Sequence, residues 1–180
     1  MNDLRHLTTE RLRLDVPTHD DLPELHEIYG DPQMWTHDPA HRQTEDATRA
    51  MLAGWIESWE SEGLAPWIVR SLTDDAVLGN AGCWLRSGEW WNLGYGIAAA
   101  CHGRGLATEA VRPALAAAVA TRPDTPVIAR VLERNTASVR VAEKLGLSVQ
   151  YRGPDTRDPD AVRLVYSDRF VPSQRAARWA

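Results

Sequence analysis

The sequence predicts one mixed α/β domain: a central sheet of about seven strands flanked by about four helices. Three observations carry that expectation. Strand-like and helix-like patterns follow one another in the order β-α-α-β-β-β-α-β-α-β-β, whose apolar faces are best buried as a mixed sheet covered by helices. The chain has 180 residues and is 43% hydrophobic, enough for one substantial core without division. An apolar run starting at Trp90 ends in a short glycine loop, His102-Gly103-Arg104-Gly105, which opens directly into an alanine-rich helix. The domain is expected over residues 1–170, with a C-terminal tail over 171–180.

Each element has its own signal. Glu10 to Val16 (ERLRLDV) alternates polar and apolar residues and reads as a half-buried strand. Thr18 to Tyr29 reads as a short helix with Asp20 and Asp21 in its first turn and Gly30 at its end. Asp31 to Arg42 has no periodicity and is expected to be a loop. From Thr44 to Trp59, Ala47, Met51, Leu52, Trp55, Ile56 and Trp59 recur at helical spacing, and Gly63 closes the segment. Pro66–Ser71, Ala76–Arg86 and Trp90–Ala98 form a meander joined by turns at Thr73-Asp74-Asp75 and Ser87-Gly88. A helix from about Leu106 to Thr121 and a short strand Val127–Leu132 follow the glycine loop. Asn135 is a good N-cap for a helix to Leu145, stopped by Gly146. Two weaker strands, Leu147–Tyr151 and Arg163–Ser167, flank a charged loop, Arg152–Asp160.

Composition narrows the function classes. The net charge is −5 and no basic run exists, so nucleic acid is not an expected partner. No apolar stretch approaches eighteen residues and no charged-then-apolar leader is visible, so a cytoplasmic protein with no membrane partner is expected. Cys83 and Cys101 give neither a disulfide framework nor metal-ligand spacing, and no metal is expected.

The glycine loop carries the chemistry. Glycines let a bulky ligand approach the backbone, and the first N–H groups of the following helix lack partners within it. With the positive end of the helix dipole, they make an anion site suited to a pyrophosphate. The dinucleotide fingerprint is incomplete, since Gly103-x-Gly105 is followed by Thr108 at the last place, and no G-K-[ST] phosphate loop exists. A nucleotide-binding oxidoreductase is therefore disfavoured.

The segment Asn135 to Leu147, NTASVRVAEKLGL, behind the strand VIARVLER, resembles the late helix of the GNAT acetyltransferase superfamily. In that superfamily the pattern R/Q-x-x-G-x-G/A lies on the loop that grips acetyl-CoA. Here His102-Gly103-Arg104-Gly105-Leu106-Ala107 fills both glycine/alanine places, with His at the first. LGYGI and GLATEA, with the opening TERLRL and Asp31-Pro32, are similar to the branch that acetylates ribosomal proteins and protein N-termini. The resemblance spans roughly Thr9 to Tyr166. It implies a GNAT-like fold and acetyl-CoA as cosubstrate, with a primary amine, on a protein N-terminus or a small molecule, as acceptor. It further implies that the backbone at Ile97 and Ala99 pairs with the pantetheine arm, that the N–H groups from Gly103 through Thr108 cradle the pyrophosphate, and that Asn135 reaches the pantetheine near the thioester. A non-catalytic CoA-binding module or sensor is the alternative, and a homodimer is compatible with the sequence.

Acetyl transfer requires an amine that loses its proton, donors for an oxyanion, proximity, and a stabilised thiolate. Where many members of the superfamily place a tyrosine acid seven residues after the asparagine, this chain has Ala142. The closer branch uses a serine three residues after it, so Ser138 is the expected proton donor or thiol-orienting group. For the base, a glutamate often precedes the GYW-like segment, where this chain has Asn92; Glu89, three residues earlier, is the expected catalytic carboxylate, with Glu133, His37, His41 and His102 as alternatives. Trp35 is the expected acceptor contact, and the aspartates of Arg152–Asp160 are expected to attract a cationic amine.

Overall fold

The computed structural model describes residues 4–180. Its frame is one sheet of eight strands: β1 (His6–Thr8), β2 (Leu12–Asp15), β3 (Trp67–Ser71), β4 (Val77–Arg86), β5 (Trp90–Ile97), β6 (Val127–Leu132), β7 (Ser148–Pro154) and β8 (Val162–Ser167). Five α-helices accompany it: α1 (Leu22–Tyr29), α2 (Glu45–Glu62), α3 (Leu106–Thr121), α4 (Thr136–Lys144) and α5 (Ser173–Ala177). The spatial order is β1-β2-β3-β4-β5-β6-β8-β7, and β5–β6 is the parallel pair among antiparallel neighbours.

The mixed α/β class therefore stands, with one strand and one helix more than expected. The extra strand, β1, lies at the sheet edge in register His6↔Asp15 to Thr8↔Arg13 with β2. Three residues are too few to show an alternation, and their extended form comes from pairing with β2. The other addition is at the far end. Residues 171–180, expected as a tail, contain α5 and bury Val171, Ala176, Trp179 and Ala180 against Trp90, Ile128 and Val165 in a second core cluster. The rings of Trp179 and Trp90 lie 5.4 Å apart, and Arg175 sits over Trp179. The loop Asp31–Arg42 also contains two short 3-10 turns, Pro32–Trp35 and Pro39–His41.

Alternation on β5 and β6 places the main core on one face. Trp91, Leu93 and Ile97 join Val127, Ala129 and Val131 in contact with the buried face of α3, including Ala110, Val111 and Ala114. Trp90, Ile128 and Arg130 face the opposite side, toward α5. Among the described residues no helix is long and apolar enough to cross a membrane.

Candidate active site

The site begins where the parallel pair fails. β5 and β6 are in register only at Trp91↔Val127 and Asn92↔Ile128. Beyond that, β5 continues against β4 as far as Ile97 and β6 continues against β8 as far as Leu132. The two strands part, leaving a V-shaped opening in the middle of the sheet.

The glycine loop stands at the end of β5. Ala99–Cys101 form a 3-10 turn, and a ring nitrogen of His102 lies 2.7 Å from the Ile97 carbonyl. Gly103 and Gly105 have φ of +74° and +79°, in the left-handed region where a β-carbon is disfavoured. Gly105 immediately precedes α3, and no side chain caps that helix, so the first-turn N–H groups of Leu106, Ala107 and Thr108 face outward from it. The side chain of Leu106 is buried, leaving its backbone as the part it offers.

A network missed by the sequence reading fixes this loop. Glu109, in the first turn of α3, accepts from the Thr9 hydroxyl at 2.6 Å, the Arg11 N–H at 2.8 Å and the Arg11 guanidinium. A second arm of Arg11 donates to the Arg104 carbonyl at 3.0 Å. Burial would raise the Glu109 carboxyl, but these hydrogen bonds hold it below the usual range, so Arg11 balances a negative charge beside the glycine loop. The pairing spans 98 residues and leaves no local pattern.

On the β6 side, the Asn135 carboxamide oxygen accepts from the Ser138 N–H at 3.1 Å and caps α4. Its amide NH₂ has no hydrogen-bond partner among the described residues. The Ser138 hydroxyl faces Tyr95 of β5. Burial pushes the Tyr95 phenol up to about 12, and the hydrogen bond from Ser138 offsets part of that rise. The structure thus brings Asn135, Ser138 and Tyr95 together at the opening; the aromatic within LGYGI was the available signal for Tyr95.

Glu89 is elsewhere. It lies exposed at the β4–β5 turn, its N–H bonded to the Arg86 carbonyl at 2.9 Å. Six residues of extended strand, about 20 Å, separate it from Tyr95. Its nearness in sequence to Trp90 is the wrong end of the strand, so the expected carboxylate is not brought to Ser138. Glu133 is bound bidentately by Arg152 at 2.7 and 2.9 Å, which holds its carboxyl below the usual range and weakens it as a base.

The segment 31–42 walls the opening. Gly96 lets it approach: a side chain there would collide with Met34 and with the Tyr29 hydroxyl. The Trp35 indole donates to the Tyr29 carbonyl at 2.7 Å, and its ring neighbours His37 and His41 at 6.3 and 6.0 Å. Arg134 donates to the His37 carbonyl at 2.6 Å, and Arg157 contacts His41. Burial depresses the His37 imidazole; the Asp38 carboxylate opposes this, and the charges of Arg134, His41 and His102 deepen it. His37 therefore stands within the electrostatic reach of both the glycine loop and the β6–α4 connection.

The loop 155–161 meets the same wall from the other side. Two of its aspartates are engaged within the protein, while Asp160 is exposed. Asp155 is buried, paired to Arg163 at 2.5 Å, and accepts from the N–H groups of Arg157 and Asp158. Asp158 pairs with Arg134 at 3.4 Å. Asp155 and Asp158 thus hold the loop together through their arginine partners.

The geometry can be set beside known proteins. The family model described as "Acetyltransferase (GNAT) domain" matches residues 11–148. No curated protein matches the sequence. Among solved structures, an acetyltransferase from Agrobacterium tumefaciens superposes with a TM-score of 0.77 at 22% identity, covering 94% of this chain and 96% of that one. A GnaT-family acetyltransferase from Bordetella pertussis gives 0.75 at 23%, covering 90% and 98%. RimL, a ribosomal L7/L12 α-N-protein acetyltransferase in complex with coenzyme A, gives 0.72 at 17%, covering 93% and 98%.

Proposed function

The chain belongs to the GNAT acetyltransferase family, and from that premise we propose that it moves an acetyl group from acetyl-CoA to a primary amine by direct attack on the thioester. The observation that carries this reading is the parting of β5 and β6 beyond Asn92↔Ile128, with the uncapped first turn of α3 on one side and the Asn135-capped start of α4 on the other. The amine belongs to a protein N-terminus or a small molecule; neighbours of the same fold include acetyltransferases of ribosomal proteins.

The uncapped first turn of α3 and the loop from His102 to Gly105 receive the pyrophosphate, with Arg11 and Glu109 holding the loop. The backbone at Ile97 and Ala99 flanks the pantetheine arm; since the Ile97 carbonyl is already engaged by His102, remaining backbone groups make the added-strand contacts. The Asn135 NH₂ group points the arm at the opening. In the reaction the amine lone pair attacks the thioester carbon, the C–S bond breaks, and the electron pair leaves on sulfur.

Magnitudes decide what Ser138 does. A phenol near 12 does not surrender a proton to a thiolate whose conjugate thiol is near 8.5. The Ser138–Tyr95 pair therefore stabilises the leaving sulfur by hydrogen bonding, with Tyr95 aiming the serine hydroxyl. A hydrogen bond to a charged group contributes about 1.5–3 kcal/mol. Ser138→Ala is expected to lower kcat by about 10- to 100-fold, with the Kd for acetyl-CoA little changed. Tyr95→Phe should produce a smaller loss in the same parameter. His37, held neutral by burial, takes the amine proton.

Thermal unfolding with acetyl-CoA tests the premise of this mechanism. At a hundredfold excess over Kd, a ligand of the native state adds about 2.7 kcal/mol, a rise of roughly 5–10 °C for a chain this size. NADH should give none. No shift with millimolar acetyl-CoA would refute the reading.

A further inference from the structure

Seven of the eight tryptophans lie in or against the two core clusters; Trp84 belongs to neither. It stands on β4 opposite Asn92, the last β5 residue paired with β6. Opposed residues share a face and alternate residues repeat it, so Trp84, Asn92, Gly94 and Gly96 look away from α3, to the side of Trp90. Atoms Cζ3 and Cη2 of the Trp84 ring lie 2.7 Å from where a β-carbon on Gly94 would stand, two residues past the last β5–β6 pair. The missing side chain of Gly94 is what admits the ring, which thereby reaches the β5 lip of the opening beside Tyr95. Trp84 is half-buried, its indole N–H makes no hydrogen bond, and neither face meets another ring or a cation among the described residues.

Other tryptophans of the chain are used for packing. Trp59 packs on Trp67 and donates to the Pro66 carbonyl, and Trp90 packs on Trp179. Trp84 does neither, so core packing does not account for a large aromatic ring at this lip. An aromatic face attracts a cation, that of tryptophan most strongly. Among the acids around the opening, Asp38 faces His41, Asp155 and Asp158 hold Arg163 and Arg134, and Glu133 holds Arg152. The ring draws an ammonium in without the strong preference for the charged form that a carboxylate imposes. That suits an amine that has to lose a proton before it attacks.

Resting on the reading that acetyl-CoA is held at α3 and the amine enters from the opposite face of the sheet, we infer that Trp84 is the specificity-determining residue that receives the acceptor, drawing its alkylammonium group onto the ring by cation–π attraction. The ammonium can belong to a peptide N-terminus or to a free aliphatic amine, and the test separates these sources.

The experiment uses the full chain with coenzyme A bound and 5-fluorotryptophan in place of tryptophan. Fluorine NMR then gives one resonance for each of the eight, and that of Trp84 is the one missing in Trp84→Phe. Two pairs of probes differ by a positive charge: n-butylammonium and n-butanol, and alanyl-alaninamide and its N-acetyl form. The charged member of a pair is expected to move the Trp84 resonance and to bind about tenfold or more tightly than its neutral counterpart. The resonances of Trp67 and Trp91, fully buried, should stay in place. A margin in the butyl pair alone assigns the site to an aliphatic amine, one in the peptide pair alone to an N-terminus, and margins in both to the ammonium whatever bears it. In acetyl transfer to the probe that binds, KM should rise about tenfold in Trp84→Leu and less in Trp84→Phe, with the Kd for acetyl-CoA unchanged. A Trp84 resonance indifferent to charge in both pairs, or an unchanged KM in Trp84→Leu, would overturn the inference and leave the transferase reading standing. A charge margin at Trp84 without acetyl transfer to any probe, in a chain that acetyl-CoA does not stabilise, would instead refute the transferase reading and keep Trp84 as an ammonium site.

Discussion

Replacing His37 with glutamine is expected to lower kcat/KM about a hundredfold at neutral pH, the lower range for a removed general base. Glutamine keeps the size and polarity of the ring but cannot take a proton. The pH profile distinguishes this loss from mere damage to the wall. The His37 imidazole lies below its usual 6.5 because of burial, with the charges of Arg134, His41 and His102 adding to the effect against Asp38. Its active form is the neutral one. Activity should therefore be flat above pH 6.5 with respect to this group and fall only as the pH drops through the depressed value. In the variant that acid limb should vanish while the residual rate persists. Glu89→Gln serves as the comparison: an exposed carboxylate about 20 Å of strand away should change kcat/KM by less than about twofold. Equal losses in the two variants, or an unchanged acid limb without His37, would remove His37 from the mechanism.

The contrast between His37 and Glu89 shows what the sequence conveys. Elements governed by local rules were legible: α3 and β6 occupy Leu106–Thr121 and Val127–Leu132 as read from their apolar patterns, and Asn135 caps α4 as its residue type suggested. Positions set by pairing across the chain were not. β1 exists because β2 offers it an edge. The last ten residues offer Val171, Ala176, Trp179 and Ala180 as anchors with no regular spacing, and they read as a tail until Trp90 supplies the partner surface. The same distinction runs through the site. The backbone loop proposed to receive an anion follows from two glycines and a helix start. The pairing of Tyr95 with Ser138 depends on where β5 and β6 part, a property of the sheet rather than of either segment. Arg11 on Glu109 and Arg157 on His41 are likewise contacts between distant turns, invisible to any spacing rule.

Asp155→Asn is expected to be the most destabilising of the substitutions considered, costing about 3 kcal/mol, the lower end for breaking one side of a buried pair. Asp155 is 4% exposed, and its carboxylate joins four groups: both arms of the Arg163 guanidinium and the N–H groups of Arg157 and Asp158. The amide would leave Arg163, itself little exposed, without its counter-charge. For 180 residues this corresponds to a fall in Tm of roughly 6–12 °C. The pH dependence has a definite sign. Burial alone would raise this carboxyl, but the Arg157 N–H, the Arg163 guanidinium and the Asp158 N–H outweigh it and set the folded value below the ordinary 3.8. A carboxyl depressed on folding contributes in full above its unfolded pKa and loses that contribution as the pH falls through the folded value. The gap in Tm between the wild type and Asp155→Asn should thus be constant above about pH 5 and narrow on acidification. The functional signature follows from the location of the loop. Arg157 is held in place by Asp155 through its own N–H, so the variant should raise KM for the acceptor while the Kd for acetyl-CoA, set at α3 and the glycine loop, stays unchanged. If Tm were unaffected and only the KM for cationic acceptors rose, Asp155 would be an acceptor ligand after all, and its pairing with Arg163 would be incidental to stability.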